Sequence, residues 1–233
     1  MIWKTILVAF LAIGVLCAEY KVTDEQRQQY KNIIKEACKM NGAEDKAEAI
    51  EETVRTFGDC VKNTLDVNKI EAELEEARKE VQRKHAVSKV FKKYCVKSTE
   101  IKTCFHTLTE GVSPCLDPAL REYIGAADST TDQVIDFVCY NDGERVADFI
   151  VDFGPECVLE HIGSLRECVV KFGENIKSVG DAKKLTLAEQ CVKYDELTAC
   201  IVETLRECTT TSPGNMAESL FSTVRKSSPC NKE

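Results

Sequence analysis

The chain has 233 residues, of which 43% are hydrophobic, 31 are basic and 39 are acidic, giving a net charge of −8. With 11 glycines and 5 prolines it is neither collagenous nor low in complexity, and its apolar fraction is too high for a disordered chain. The acidic balance argues against nucleic acid as a partner, since phosphate groups require clustered lysine and arginine. These figures favour a soluble helical protein.

Residues 1–18 have the pattern of a secretory signal peptide. One early cation, Lys4, precedes an apolar run from Ile6 to Leu16, and the small residues Cys17 and Ala18 follow it. The run is shorter than the roughly 20 residues that a helix needs to cross a bilayer. We therefore predict secretion after removal of residues 1–18, with no stable insertion in a membrane.

Twelve of the 13 cysteines lie beyond this segment. An even number of cysteines in a secreted chain predicts disulfides, because thiols meet an oxidising environment in the secretory pathway. Thiolate metal sites need close pairs such as Cys-x-x-Cys, which the sequence lacks, so we expect no metal and no other cofactor. The residues predicted to form six disulfides are Cys38, Cys60, Cys95, Cys104, Cys115, Cys139, Cys157, Cys168, Cys191, Cys200, Cys208 and Cys230.

Hydrophobic residues recur with the period of an α-helix along almost the whole chain, as in Ile50, Val54, Phe57 and Val61. Signals for helix boundaries recur as well. They are Gly42 after a first helix, Thr186 with Glu189 as a capping box, and Pro118, Pro155 and Pro213 in first turns. Alternating strand patterns do not occur, so the predicted fold class is all-α, a disulfide-rich array of helices.

An internal duplication emerges when the chain is aligned with itself at an offset of about 93–101 residues. The aligned pairs are Cys38 with Cys139, Cys60 with Cys157, Cys95 with Cys191, Cys104 with Cys200 and Cys115 with Cys208. We therefore predict two helical repeats, residues 23–127 and residues 128–233. The first contains five cysteines and the second seven, so complete oxidation requires at least one disulfide between the repeats.

No catalytic constellation is recognisable in the sequence. It has no nucleophile elbow, no zinc-protease helix, no phosphate-binding glycine loop and no dinucleotide fingerprint. The three histidines, His85, His106 and His161, lie far apart in the sequence and among residues predicted to be helical. We therefore predict that the protein is not an enzyme.

One segment turns from acidic to basic along its length. Two interpretations of this gradient stay open. Acids near the start of a helix and bases near its end offset the helix dipole, with about 0.3–1 kcal/mol for each charge. Alternatively, the basic end is a docking patch for anionic lipid or glycan. The residues of this candidate patch are Arg83, Lys84, Lys89, Lys92, Lys93 and Lys97.

Several sequence blocks resemble the insect 27 kDa hemolymph glycoprotein family. They are Arg55–Cys60, Val90–Cys95, Ile135–Tyr140, Gly154–Cys157, Asn215–Phe221 and Ser228–Cys230. The resemblance covers essentially the whole chain beyond residue 18 and implies a secreted protein of hemolymph with no established catalytic activity. One departure concerns glycosylation, since no Asn-x-Ser/Thr sequon occurs; Asn63-Thr-Leu65, for example, lacks the third residue of the motif.

Two classes of function follow from these observations. The first is a circulating carrier that holds a small apolar or amphipathic ligand within or between the helical repeats. The second is an interaction protein of insect defence or development that acts through its surface without a bound ligand. A monomer is the favoured oligomeric state.

Overall fold

The computed structural model of the protein describes residues 24–173 and 185–232. Every regular element in these two ranges is helical, so the all-α prediction is confirmed. The predicted signal peptide lies outside the described residues. Among the helices that are described, none is long and apolar enough to cross a membrane.

Twelve α-helices and four short 3-10 helices make up the described part of the chain. The α-helices are α1 (Asp24–Met40), α2 (Ala47–Thr64), α3 (Val67–Lys79), α4 (Arg83–Cys95), α5 (Ser98–Val112), α6 (Pro118–Arg121), α7 (Ile124–Cys139), α8 (Glu144–Val151), α9 (Gly154–Glu160), α10 (Ile162–Gly173), α11 (Leu187–Arg206) and α12 (Ser212–Ser227). The 3-10 helices are Glu44–Lys46, Ser113–Cys115, Tyr140–Gly143 and Pro229–Lys232.

The helix boundaries follow the local signals in the sequence. The Thr186 hydroxyl accepts a hydrogen bond from the Glu189 amide at 3.3 Å, and the Glu189 carboxylate accepts one from the Thr186 amide at 2.7 Å. This is the predicted capping box at the start of α11. Gly42 follows α1 in the left-handed conformation, with φ of 70°, as expected of a glycine after a helix.

The chain divides into two compact units that are discontinuous in sequence. Unit A comprises residues 24–71 and 97–132; unit B comprises residues 72–96 together with the described residues from 133 onward. These units differ from the division at residue 127 that the repeat suggested. Residues 72–96 group with unit B because α4 packs against α8 and against the Tyr140–Gly143 turn.

Unit A is built around the packing of α2 against α5. A disulfide between Cys60 and Cys104 joins the two helices, and the rings of Phe57 and Phe105 meet edge to face with centroids 5.0 Å apart. The buried face of α2 includes Val61, at 2% exposure, whereas Val54 is 45% exposed despite its place in the hydrophobic pattern.

Unit B has two hydrophobic clusters. The first joins α3, α4 and α8 through the buried side chains of Ala77, Val87, Val146, Ala147 and Ile150. The second joins α11 and α12 through Val202, Leu205 and Ala217. Burial of aliphatic side chains in these clusters supplies the main favourable term for folding.

All twelve cysteines beyond residue 18 pair in six disulfides. The pairs are Cys38–Cys115, Cys60–Cys104, Cys95–Cys139, Cys157–Cys208, Cys168–Cys200 and Cys191–Cys230. Cys95–Cys139 crosses residue 127, the boundary at which the cysteine count required a bridge. In chain order the first six cysteines pair first with fifth, second with fourth and third with sixth. The next six cysteines pair in the same order.

Candidate functional site

An open cleft of about 580 Å³ lies in unit B, between the start of α4 and the Tyr140–Gly143 turn. Eight of the nine residues that line it have polar or charged side chains, although their carbon atoms contribute much of its surface. The residues that line it are Val81, Gln82, Arg83, Lys84, His85, Ser88, Asn141, Asp142 and Glu144.

The α4 side of the cleft is formed by a helix that begins without a side-chain cap. Gln82 occupies the N-cap position and makes no capping hydrogen bond, so the first amides of α4 have no partner from that side chain. Arg83 and Lys84 follow in the first turn, where their positive charges add to the positive end of the helix dipole and are unfavourable for the helix. The local sequence therefore places two cationic side chains at this edge of the cleft.

The opposite side is a tight turn with an unusual backbone. Asn141, Asp142 and Gly143 are all left-handed, with φ of 50°, 58° and 77°. Asparagine and aspartate tolerate this region better than other residues with a β-carbon, and glycine enters it freely. The Asn-Asp-Gly sequence therefore permits the turn that carries Asn141 and Asp142 into the cleft wall.

Most of the charges around the cleft are paired with one another. The Lys84 ammonium lies 2.8 Å from Asp148 and 3.3 Å from Glu144. The hydrogen bond to Asp148, more than the one to Glu144, raises the pKa of Lys84. A hydrogen bond from Asn141, followed by the bond from Lys84, lowers the pKa of Glu144. Both shifts favour the charged forms, so Lys84 and Glu144 are ionised at neutral pH.

Arg83 differs from its neighbours because it has no hydrogen-bond or ion-pair partner among the described residues. Its side chain is exposed, and it borders both the cleft and a second open cleft of about 450 Å³. The second cleft is lined by Glu75, Arg78, Lys79, Arg83, Val151 and Phe153. Arg83 is consequently a guanidinium available to a ligand in either cleft.

Phe153 gives the second cleft its aromatic wall. Its backbone is left-handed, with φ of 58°, which is rare for a bulky side chain. The Arg78 guanidinium lies 5.3 Å from the centre of the Phe153 ring and also donates a hydrogen bond to Glu156. Arg78 is therefore engaged on two sides, in contrast to Arg83.

Most residues of the candidate basic patch have a partner within the protein. Lys92 pairs with Asp142 at 2.8 Å, Lys93 pairs with Glu73, and the Lys97 ammonium donates to the Thr64 carbonyl at 2.7 Å. Together with Lys84, four of the six predicted residues are engaged. Arg83 and Lys89 have no hydrogen-bond or ion-pair partner among the described residues. The segment is therefore not a continuous strip of free cations.

One group of side chains has the spacing of a metal site. Ligand atoms of Cys157, His161 and Cys208 lie within 4.8 Å of one another. The two sulfur atoms form the Cys157–Cys208 disulfide, so neither is available as a thiolate ligand. His161 Nδ1 lies 3.0 Å from the Cys157 carbonyl, which leaves the ring engaged with its own helix turn.

The other two histidines lie in different environments. His106 Nε2 is 2.9 Å from Asp132 in unit A, while His85 lines the cleft beside Arg83. Neither His85 nor Asn141 was expected from the sequence to be a site residue. Two signals could have drawn attention to them: basic residues at an uncapped helix start, and an Asn-Asp-Gly turn facing that start.

Comparison with known proteins places the chain in a family. A family model described as "Protein of unknown function (DUF1397)" matches residues 24–230. The chain belongs to this family. The DUF1397 match spans every described element from α1 to the disulfide at Cys230, so both units fall within it.

Relatives of full length come from moths. The chain is 50% identical to the "27 kDa hemolymph protein" of Galleria mellonella, over 100% of this chain and 98% of the relative. It is 43% identical to the "27 kDa hemolymph glycoprotein" of Manduca sexta, over 99% and 97%. It is 41% identical to the "27 kDa glycoprotein" of Bombyx mori, over 99% and 96%. No solved structure matches the chain.

The hemolymph relatives and the six disulfides both indicate an extracellular location for the protein. Hemolymph is an extracellular fluid, and disulfides persist where the environment is oxidising. The DUF1397 chain described here is accordingly a secreted, extracellular protein, and the expected resemblance to hemolymph proteins is confirmed.

Proposed function

We propose that the protein circulates in insect hemolymph as a non-enzymatic binding protein, and that the cleft in unit B binds a small polar or amphipathic ligand with an anionic group. One observation carries this proposal. Arg83 borders two clefts with an exposed guanidinium that pairs with no described residue. A guanidinium of this kind is suited to two parallel hydrogen bonds with a carboxylate or phosphate.

The arrangement of charges supports an anion at Arg83 in particular. Asp142 and Glu144, the acids of the cleft lining, are engaged by Lys92 and Lys84. Their negative charge is thus offset locally, and Arg83 stands beside the open start of α4. An anion at this position would be favoured by the guanidinium and by the helix dipole together.

An apolar ligand has less support from these two clefts. The first has one apolar residue in its lining, Val81, whose side chain is fully exposed. The second has Val151 and Phe153 among four charged residues. Both clefts are open to solvent, whereas cavities that hold apolar ligands bury most of the ligand surface. We therefore favour a polar ligand, with Val81 or Phe153 able to contact a short apolar part.

Calorimetry with defined ligands tests the proposal. Inorganic phosphate, citrate and oleate are titrated into the wild-type protein and into Arg83→Glu and Lys89→Glu. Lys89→Glu is the matched control, because Lys89 is an equally uncommitted cation on α4 that lines neither cleft. A charge-assisted hydrogen bond contributes about 1.5–3 kcal/mol, so Arg83→Glu should weaken phosphate or citrate by at least about tenfold, whereas Lys89→Glu should leave affinity nearly unchanged.

The salt dependence of binding provides a second criterion, since the attraction between an anionic ligand and Arg83 should weaken as ionic strength rises. If Arg83→Glu and Lys89→Glu weaken anion binding equally, the anion is attracted to a basic surface in general, which would contradict a site at Arg83. Binding of oleate that neither salt nor Arg83→Glu weakens, without binding of phosphate or citrate, would instead favour the apolar carrier expected from the sequence.

We also infer that the chain arose by internal duplication, with a register that differs in part from the sequence alignment. Six cysteines allow 15 pairings, yet both sets of six in this chain use the same one. This order aligns Cys38 with Cys157 and Cys60 with Cys168. It keeps three sequence-based matches: Cys95 with Cys191, Cys104 with Cys200 and Cys115 with Cys208. Mapping of disulfide-linked peptides without reduction should recover six links in this order; any other pairing contradicts the inference.

A further inference from the structure

The longest run of hydroxyl side chains in the sequence lies in the loop between α11 and α12 and at the first residue of α12. Three threonines and a serine, residues 209–212, are followed directly by Pro213. Serine and threonine clustered with proline are typical of segments that receive O-linked sugars. The run belongs to no part of the cleft described above, so a different role has to be sought for it.

Three anchors fix the position of this loop. Cys208 at its start is bonded to Cys157, and the Thr210 hydroxyl donates to the Asp152 carbonyl at 3.0 Å. Pro213 at its end is fully buried. The loop is therefore held against unit B at its beginning, middle and end, and its remaining side chains have defined directions.

Thr209 and Thr211 are the residues that face solvent. Both are exposed, and neither hydroxyl makes a hydrogen bond with any described residue. Thr210 between them is half-buried and uses its hydroxyl on Asp152. Ser212, the fourth hydroxyl of the run, is half-buried at the first residue of α12. A transferase that approaches this loop would therefore meet two exposed hydroxyls without hydrogen-bond partners, at Thr209 and Thr211.

A second hydroxyl run offers a comparison within the same protein. Ser129, Thr130 and Thr131 lie in the middle of α7. The Thr130 hydroxyl donates to the Ala126 carbonyl at 2.8 Å, in the usual manner of threonine in a helix. Ser129 is exposed and Thr130 and Thr131 are half-buried, but the run has no following proline and lies within hydrogen-bonded helical backbone, unlike the loop.

We propose that Thr209 and Thr211 are sites of O-linked glycosylation. The acceptor oxygen is threonine Oγ1, and the donor is a nucleotide sugar used by a glycosyltransferase of the secretory pathway. Oγ1 forms a bond to the anomeric carbon of the sugar while the bond from that carbon to the nucleoside diphosphate breaks. The hydroxyl proton passes to a base of the transferase, and the nucleoside diphosphate leaves. No atom of the protein is oxidised or reduced.

The sequence allows O-linked glycosylation but contains no site for N-linked glycosylation. N-linked transfer requires an Asn-x-Ser/Thr sequon, and none of the asparagines in the chain begins one. A glycan on this protein must therefore be attached to a different type of side chain. Exposed hydroxyls without hydrogen-bond partners meet that requirement at Thr209 and Thr211.

Mass spectrometry of the secreted full-length protein tests the proposal directly. The wild-type protein, expressed in insect cells and collected from the medium, should show mass increments equal to one or two sugars built on hexosamine. Alkaline elimination should remove them. Electron-transfer fragmentation of the peptide that contains the loop should assign the sugars to Thr209, Thr211 or both. A protein without increments, or with sugars assigned to Thr210 or to residues 129–131, overturns the proposal.

Variants provide an independent comparison. Thr209→Ala with Thr211→Ala should remove every increment, whereas Ser129→Ala with Thr131→Ala should retain them all. Increments that persist in the first double variant overturn the proposal. Assignment of sites in the wild-type protein decides the question even if a loop variant fails to be secreted.

Discussion

Gly143 lies against Phe91 so closely that a β-carbon built at Gly143 would overlap the β-carbon and ring of Phe91. The glycine also has φ of 77°, in the region that disfavours any residue with a β-carbon. Two independent constraints therefore act on one residue of the turn that forms the cleft wall. The close approach lets α4 pack against this turn, as the Cys95–Cys139 disulfide also requires.

A comparison of two glycines separates these constraints. Gly42 is left-handed as well, with φ of 70°, but a β-carbon there would meet no atom within 4 Å. Gly42→Ala should therefore lower the free energy of unfolding by about 1 kcal/mol, the cost of the backbone conformation. Gly143→Ala should cost about 1–3 kcal/mol more, because Phe91 must shift as well. Denaturant unfolding of both variants measures the difference; equal losses would show that Phe91 adjusts freely.

Tyr194 should make stability fall at alkaline pH. Its hydroxyl donates to the Phe221 carbonyl at 2.9 Å, and burial, reinforced by Asp195, raises the pKa of Tyr194 far above its usual value. The folded protein therefore keeps a proton that the unfolded chain releases above about pH 10. Tyr194 then favours folding below pH 10 and loses this contribution as the pH rises toward its folded pKa.

The variant Tyr194→Phe isolates this effect. At pH 7 it should lose about 1 kcal/mol of stability, the usual net value of one hydrogen bond. Above pH 10 the difference from the wild-type protein should shrink, because only the wild type is destabilised by ionisation of Tyr194 in the unfolded chain. Unfolding curves measured from pH 7 to 11 check this, and a constant difference would argue against a raised pKa in the fold.

Local features of the fold were predictable from the sequence because they depend on neighbouring residues. The helical period, the capping box of Thr186 and Glu189, and Gly42 after α1 are all confirmed. Each reflects hydrogen bonds or backbone preferences within a few residues. Val54 was expected to be buried because it shares the period of α2, yet its side chain is 45% exposed.

Relationships over longer distances were harder to predict. The sequence could not pair the cysteines, because the number of possible pairings grows rapidly with their count. It also gave no sign that Lys92 and Lys93 would meet Asp142 and Glu73, which are distant in the sequence. Those pairs depend on the packing of α4 against its neighbours. Only these pairs show that Arg83, unlike Lys92 and Lys93, has no ion-pair partner among the described residues.

Glu156 should make unit B sensitive to acid. Burial acts to raise the pKa of Glu156, but hydrogen bonds from Arg78 and from a backbone amide outweigh it, and the pKa of this carboxyl is lowered. Stability from the charged form is therefore complete above the unfolded pKa of about 4.3 and is lost as the pH falls through the lower folded value.

Glu156→Gln should be less stable than the wild type at pH 7, and the difference should shrink below about pH 4.3. Glu76→Gln is the matched control, because Glu76 forms an ion pair with Lys79 that is largely exposed and so contributes little. Melting temperatures of the three proteins from pH 3 to 7 provide the comparison. A difference that is constant with pH would contradict a lowered pKa at Glu156.

The six disulfides should contribute unequally to the free energy of unfolding. Each contribution should rise with the logarithm of the number of residues in the loop that the disulfide closes. Cys38–Cys115 spans 77 residues and Cys168–Cys200 spans 32, the longest and shortest separations of the six. Removing either pair by double alanine substitution should cost about 2–5 kcal/mol. Because its loop is longer, the chain-entropy relation predicts that losing Cys38–Cys115 costs about 0.8 kcal/mol more than losing Cys168–Cys200.

Burial should widen this difference, because Cys38 and Cys115 are 0% and 5% exposed and belong to one hydrophobic cluster with Ala47 and Ile50. Guanidinium unfolding of the two double variants, each compared with the oxidised wild type, measures both costs. A larger loss from the Cys168–Cys200 pair would show that loop entropy does not dominate, and that strain relief or residual structure in the unfolded chain determines the ranking instead.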